Sequence, residues 1–395
     1  MPSPLARHWT LDPQVVFLNH GSFGAAPRAV LEEQQHWRER LEREPVLFLG
    51  RQVQGFIDEA RAALAAFVGA RVEDLAFVPN ATTAVNAVVR SLPFQPLDEI
   101  LVTDQGYNAC RNTVEYVAAR TGARVTVAHV PFPLRSEGEV VEGVLAALSP
   151  RTRLALVDHV TSPTGILFPV ERLASELRER GVPVLVDGAH APGMLPLDLS
   201  ALGADYYTGN LHKWVCAPKG AAFLWVRREL QETIRPVVIS HGANARLDRR
   251  SRFQVEFDWV GTDDPTAFLC VPAALRFMGG LFPGGWDELR ARNHALALEA
   301  RALLARALGV ELPAPDSMIG TLAALRVPDA PASGPASAFD VDPLQRALFE
   351  RHRIEVLMPT WPAPPARWVR ISAQVYNDIA DFLRLAEALR AEIGA

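Results

Sequence analysis

Residues 152–190 read TRLALVDHVTSPTGILFPVERLASELRERGVPVLVDGAH. Two short apolar runs, TRLALVDHV and VPVLVDGAH, flank VERLASELRERG, which carries a helical pattern and ends on a glycine. The order strand, helix, strand repeats upstream in EILVTDQ (99–105), NACRNTVEYVAARTG (108–122) and ARVTVAHVPF (123–132). Near-continuous apolar strands separated by helices predict an α/β fold with a parallel sheet covered on both faces. Such sheets bind ligands at the carboxyl ends of their strands, so Asp187, closing one apolar run, is a first candidate for a site. An aspartate there is equally able to cap the turn that follows.

Outward from this block the pattern changes. Beyond about Val271, LRARNHALALEARALLARALG (289–309) reads as a long helix, and TLAALRV (321–327) and WVRISAQ (368–374) as strands. A second, smaller α+β domain is expected there, one that also recruits the N-terminal segment. The expected division is a large domain over 36–274, with 1–35 and 275–395 forming the small one. Low-complexity, proline-broken loops are expected at 328–338 and 358–366.

The chain has 395 residues, 49% hydrophobic and 22% charged, with a net charge of -5. That is ordinary for a globular protein and gives no reason to expect nucleic acid or an acidic membrane surface as partner. No apolar stretch is long enough to span a bilayer, and MPSPLARHWTLDPQ lacks the apolar run of a signal peptide. Cys110, Cys216 and Cys270 lie far apart without metal-ligand spacing; they fit reduced thiols in a cytoplasmic protein and no metal site.

Chemistry enters with YYTGNLHKWVCAPKG (206–220). Lys213 and Lys219 are the two lysines of a chain with 40 basic residues, so work needing an amine rather than a guanidinium falls to one of them. In FVPNATTAVNAVV (77–89), Asn80 to Thr83 precede a helical pattern. Unpaired N–H groups and hydroxyls at a helix start suit a phosphate, although an ordinary N-cap looks the same. A phosphate-type helix start, an acid at a strand end and, about 26 residues later, a lysine form the order a pyridoxal phosphate enzyme needs. The lysine holds the aldehyde, the helix start the phosphate, and the acid keeps the pyridine nitrogen protonated so that the ring takes up electrons.

The chain also resembles the class V, cysteine desulfurase-like branch of fold-type I pyridoxal phosphate enzymes, and within it the isopenicillin N epimerase-like group. The resemblance runs through FLNHGSFGAAP (17–27), NATTAVN (80–86), DQGYNACRNT (104–113), HVTSPTG (159–165), VDGAHAPG (186–193), YTGNLHKW (207–214), WVGTDDP (259–265) and RWVRISAQVYN (367–377). It implies a large domain with a mostly parallel seven-stranded sheet. It implies that Lys213 is the Schiff-base lysine and shuttles the α-proton, that Asp187 faces the pyridine nitrogen and that His190 reaches the phenolic oxygen. Thr82, Thr83, Thr208 and His212 match phosphate ligands. Thr262 matches a threonine that reaches the phosphate of a neighbouring subunit, which implies a homodimer with shared active sites.

Tyr107 falls where the family stacks an aromatic ring on the cofactor, although a helix-start tyrosine packed on the sheet has the same pattern. Arg370 matches the arginine that clamps the α-carboxylate, a task suited to the guanidinium fork; a solvated strand arginine is the plain alternative. Asn19 and His20 match a substrate-side segment, or form a turn, and Ser162 lines the ring edge by the same likeness. One departure is clear. Cysteine desulfurases carry a nucleophilic cysteine on the loop before that arginine, and LMPTWPAPPARWVR (357–370) has none. The expected reaction starts with an external aldimine and a carbanion at the α-carbon of an amino-acid substrate. Epimerisation comes first, with Tyr107 as an acid on the face away from Lys213. C–S β-elimination and transamination are the alternatives, followed by a non-catalytic binding protein.

Overall fold

The computed structural model describes residues 3–247, 250–330 and 340–394. Its centre is a seven-stranded sheet built from β2 (Leu75–Val78), β3 (Glu99–Thr103), β4 (Arg124–Ala128), β5 (Thr152–Asp158), β6 (Val184–Asp187), β7 (Tyr206–Asn210) and β8 (Ala222–Val226). The spatial order is β2-β8-β7-β6-β5-β3-β4. Strands β3 to β7 run parallel, and β8 runs antiparallel to both β2 and β7. The mostly parallel sheet expected from the apolar runs is therefore present.

Both faces of the inner strands β5 and β6 are buried, which is why they read as continuous apolar runs. Leu154, Leu156 and Leu185 pack on one side, with Val85 and Val88 of helix α1 (Ala81–Ser91) and Val114 and Val117 of α2 (Asn108–Thr121). Ala155, Val157, Val184 and Val186 point to the other side, onto Leu173 and Leu177 of α3 (Val170–Glu179). This is the period-two alternation of a pleated strand. Helix α2 stops at Gly122, whose φ of 78° supplies the left-handed cap position that favours glycine.

The remaining strands form two small sheets. The N-terminal β1 (Val16–Phe17) pairs in parallel with β10 (Ile354–Glu355), and β9 (Leu322–Val327) pairs antiparallel with β11 (Arg367–Ser372). The long helix α4 (Gly285–Leu308) packs against β9 and against α5 (Ile379–Ile393). Chain start and chain end are thus joined, and Ser372 N–H donates to Leu18 O at 2.9 Å. Of the proline-rich loop at 328–338, residues 331–338 lie outside the described residues.

Candidate active site

The carboxyl ends of β5, β6 and β7 open on one cavity of about 350 Å³. Asp158 and Asp187 end neighbouring strands in register and both line it. Asp187 is buried; its Oδ1 accepts from Ala189 N–H at 3.0 Å and its Oδ2 from the Cys110 thiol at 3.1 Å. Burial, and then the nearby Asp187 charge, pushes the Asp158 carboxyl well above the usual range.

Lys213 follows β7 and faces His190, its Nζ 3.1 Å from the imidazole Nε2. Burial, and then the charge of Arg370, lowers the amine from 10.5 to about 7, so it exists partly as a free nucleophile at neutral pH. The lysine backbone is held from behind by close packing. A Cβ on Gly24 would come within 2.7 Å of Lys213 Cα, and one on Gly193 within 2.6 Å of the Trp214 carbonyl carbon. Only a residue without a side chain permits either approach.

His190 is buried and held neutral, far below its ordinary range, by burial and then by Lys213. Its Nδ1 has no partner among the described residues. His212 lines the cavity and spends Nδ1 on Ala221 O at 2.9 Å, which leaves Nε2 uncommitted among the described residues; burial and Lys213 lower it to about 4. Thr82, Ser162 and Tyr107 also line the wall, Tyr107 being 47% exposed at the start of α2. Burial, followed by Cys110 and Asp187, raises the Tyr107 phenol and keeps it protonated.

Other expected residues lie elsewhere. Thr208 is buried with its hydroxyl donating to Phe223 O at 2.8 Å across the β7–β8 ladder, and it does not line the cavity. Asn210, two residues on, does; its Oδ1 accepts from Ala81 N–H at 2.9 Å, tying β7 to the start of α1. Thr83 turns away from the cavity, with N–H and hydroxyl both donating to Asn80 Oδ1 at 2.8 and 3.1 Å, an N-cap arrangement. Thr262 is exposed in a separate surface pocket beside Arg38 and Asp264, outside this chain's own cavity.

Arg370 is 1% exposed on β11. It stands behind the cavity wall, donating to Ser162 O at 2.6 Å and Ser22 Oγ at 2.9 Å, and both serines line the wall. Its Nε has no partner among the described residues, and burial lowers it to about 10, so it stays charged at pH 7. Asn19 supports this arginine rather than lining the cavity, with Oδ1 3.4 Å from a guanidinium nitrogen and Nδ2 donating to Glu355.

His20 is the largest correction. It is fully buried behind Lys213, not on the substrate side, because β1 pairs with β10 and carries this segment across the back of the lysine loop. Burial pushes it to about 3, so the ring is neutral. A carbonyl can only accept, so Nε2–H donates to Lys213 O at 3.0 Å and Nδ1 accepts from the Tyr376 hydroxyl at 2.7 Å.

The Aminotransferase class-V family model matches residues 17–331. The chain belongs to the class-V aminotransferase family. It is 39% identical to isopenicillin N epimerase of Amycolatopsis lactamdurans, over 96% of each chain. It is 33% identical to "Probable L-cysteine desulfhydrase, chloroplastic" of Arabidopsis thaliana, over 96% of this chain and 83% of that one. In fold it is similar to a lysine-to-alanine mutant of C-DES with glycine covalently linked to the PLP cofactor. That likeness has a TM-score of 0.80 at 23% identity and covers 98% of this chain and 99% of that one.

For a class-V chain the fit to pyridoxal phosphate can be judged from its own groups. The cavity offers a helix start with Thr82, a histidine with an uncommitted nitrogen, a carboxylate, an amine lowered toward neutrality and the unpartnered His190 Nδ1. A phosphate, a pyridine nitrogen, an aldehyde and a phenolic oxygen match these in kind. Asn210, Asp158 and Ser22 went unread in the sequence. Asp158 had a signal: TRLALVDHV ends an apolar run on aspartate just as VPVLVDGAH does.

Proposed function

We propose that this chain is a pyridoxal phosphate enzyme that acts at the α-carbon of an amino-acid substrate, with epimerisation as its reaction. Bound pyridoxal phosphate supplies an aldehyde for an amine and a ring that takes up the electron pair released at the α-carbon. Lys213 holds the cofactor and then its Nζ takes the α-proton. Asp187, with two donors already on its oxygens, is the carboxyl group that pairs with the pyridine nitrogen. Arg370, behind the wall formed by Ser22 and Ser162 to which both its terminal nitrogens donate, supplies the positive charge that draws the α-carboxylate to that wall. Thr82, Asn210 and His212 hold the phosphate end. Thr262, exposed outside its own cavity, serves the site of a second copy in a homodimer.

The observation that carries epimerisation is the presence of two proton carriers on separate elements of one cavity wall. Lys213 is a base near neutrality, and the Tyr107 hydroxyl, kept protonated, can return a proton from elsewhere. A C–S β-elimination needs the first carrier but not the second. It stands as the second reading, supported by the likeness to the desulfhydrase and by the absence of a cysteine from 357–370, which leaves that loop without a sulfur acceptor. The test is incubation of the holoenzyme with single enantiomers of amino acids in D₂O. Recovery of the opposite enantiomer with deuterium at the α-carbon supports epimerisation, and Asp187→Ala should slow that exchange severely. Release of pyruvate and sulfide from cysteine without inversion overturns it in favour of the lyase.

A further inference from the structure

The chain has two lysines, and both line the same cavity. Lys213 faces His190, whereas Lys219 stands at the rim, exposed to solvent, in the turn that leads into β8. The backbone around it fixes that position. Leu211 N–H and His212 N–H both donate to Ala221 O, at 3.0 and 3.1 Å, and His212 Nδ1 meets the same oxygen at 2.9 Å. Residues 211–221 are thereby closed into a loop, with Lys219 close to its neck and on the side of His212. Gly220 makes the turn beside it at a φ of 95°, a conformation that favours glycine. The charge of Lys219 is felt at His212, where it adds to burial and to Lys213 in lowering the imidazole. The Lys219 amine has no carboxylate and no hydrogen-bond acceptor among the described residues. Partial burial lowers it from the ordinary lysine value, a cost that a neighbouring anion would offset.

The charges at this end of the cavity do not suffice for a phosphate. A phosphate monoester carries about −1.5 to −2 at pH 7. Thr82 and Asn210 are neutral, and His212, lowered to about 4, carries no charge near pH 7. The free N–H groups at the start of α1 supply the equivalent of about half a positive charge. Arg370 is spent on Ser22 and Ser162, and Lys213 is the amine required for the aldehyde. About one negative charge or more is left without a partner, and Lys219 is the remaining cation among the residues that line the cavity. We propose that Lys219 is the counter-ion of the cofactor phosphate and the residue by which this cavity selects a phosphorylated aldehyde over a plain one. The proposal rests on the pyridoxal phosphate reading above. The two lysines thus divide one ligand between them: the buried amine takes the aldehyde as a nucleophile, and the amine at the rim stays an ammonium and acts as a point charge on the phosphate.

The test uses the full chain freed of cofactor, titrated with pyridoxal phosphate and, separately, with pyridoxal, which has the same ring and aldehyde but no phosphate. Binding is read from visible absorbance, and the borohydride-trapped adduct is located by peptide mapping. Lys219→Ala should weaken pyridoxal phosphate by about ten- to a hundredfold, leave pyridoxal essentially unchanged and keep the adduct on Lys213. Lys219→Arg retains the charge and should recover most of the loss. Added salt should narrow the gap between the unaltered protein and Lys219→Ala, since the pair at the rim is open to screening. Equal losses for both aldehydes would make Lys219 a structural residue, and an affinity ratio unmoved by Lys219→Ala would leave it a solvated surface lysine; either overturns the proposal, as does an adduct on Lys219. Failure of the cofactor reading looks different. An unaltered chain that takes up neither aldehyde removes the cofactor and its counter-ion together, whereas pyridoxal phosphate on Lys213 with a ratio indifferent to Lys219 removes the counter-ion alone.

Discussion

The pH at which cofactor-free protein captures pyridoxal phosphate should be set by Lys213 and should lie near 7. Burial, and then the Arg370 guanidinium, lowers its pKa from 10.5 to about 7. At pH 7 about half the amine is then free, against about one molecule in 3,000 for an unperturbed lysine. The assay is the initial rate of borohydride-trapped adduct on Lys213, located by peptide mapping, from about pH 5.5 to about 9.5. Arg370→Met removes the second cause and leaves the first, so the midpoint should move upward without reaching 10.5. The same displacement acts on stability. A depressed lysine pKa means that the unfolded chain binds the extra proton between pH 7 and 10.5. The cost of burying the charge is therefore complete below about 7, shrinks as pH rises through that interval, and is gone above 10.5. At about 1.4 kcal/mol for each factor of ten, that cost is about 5 kcal/mol. Lys213→Met should raise the urea midpoint of the cofactor-free protein most near about pH 6 and least near about pH 10. A capture midpoint near 10 in the unaltered protein, together with parallel stability curves for the two proteins, would refute the claim that burial frees this amine.

Arg370→Lys keeps a cation but loses the fork, and should weaken binding of unreactive 2-hydroxy acids by about ten- to a hundredfold; unchanged affinity would remove Arg370 from the carboxylate site. Tyr376→Phe deletes the hydroxyl that donates to His20 Nδ1 and should cost about 1–2 kcal/mol in urea unfolding. Affinity for the same acids should not change, and a clear loss of affinity would return His20 to the substrate side.

What could be read without coordinates, and what could not, divides along a physical line. The strands of the central sheet were legible because burial on both faces forces a continuous apolar run, and a polar residue at its end stands out. Asp187 and Asp158 show the same signature, yet only one was read, because a lysine downstream gave it a role. Lys213 was legible through scarcity, in a chain that uses arginine for almost every other cation. Thr208 and Asn210 mark the limit. Both sit on β7 and both are small polar residues near the lysine, so the motif alone cannot tell them apart. Their difference is made by the partner strand: β8 takes up the Thr208 hydroxyl through Phe223 O, while Asn210 is left at the strand end to meet Ala81.

His20 fails for a related reason, at longer range. A histidine beside an asparagine in a glycine-rich segment looks like a polar loop facing a ligand. Its true position follows from the pairing of Val16 with Ile354, a contact across most of the chain length that no local pattern encodes. That pairing carries Gly24 onto the Lys213 backbone and His20 onto the Lys213 carbonyl. The N-terminal segment therefore acts on the site mainly from behind, through the backbone of the lysine loop, and among the described residues only Ser22 and Phe23 of it reach the cavity.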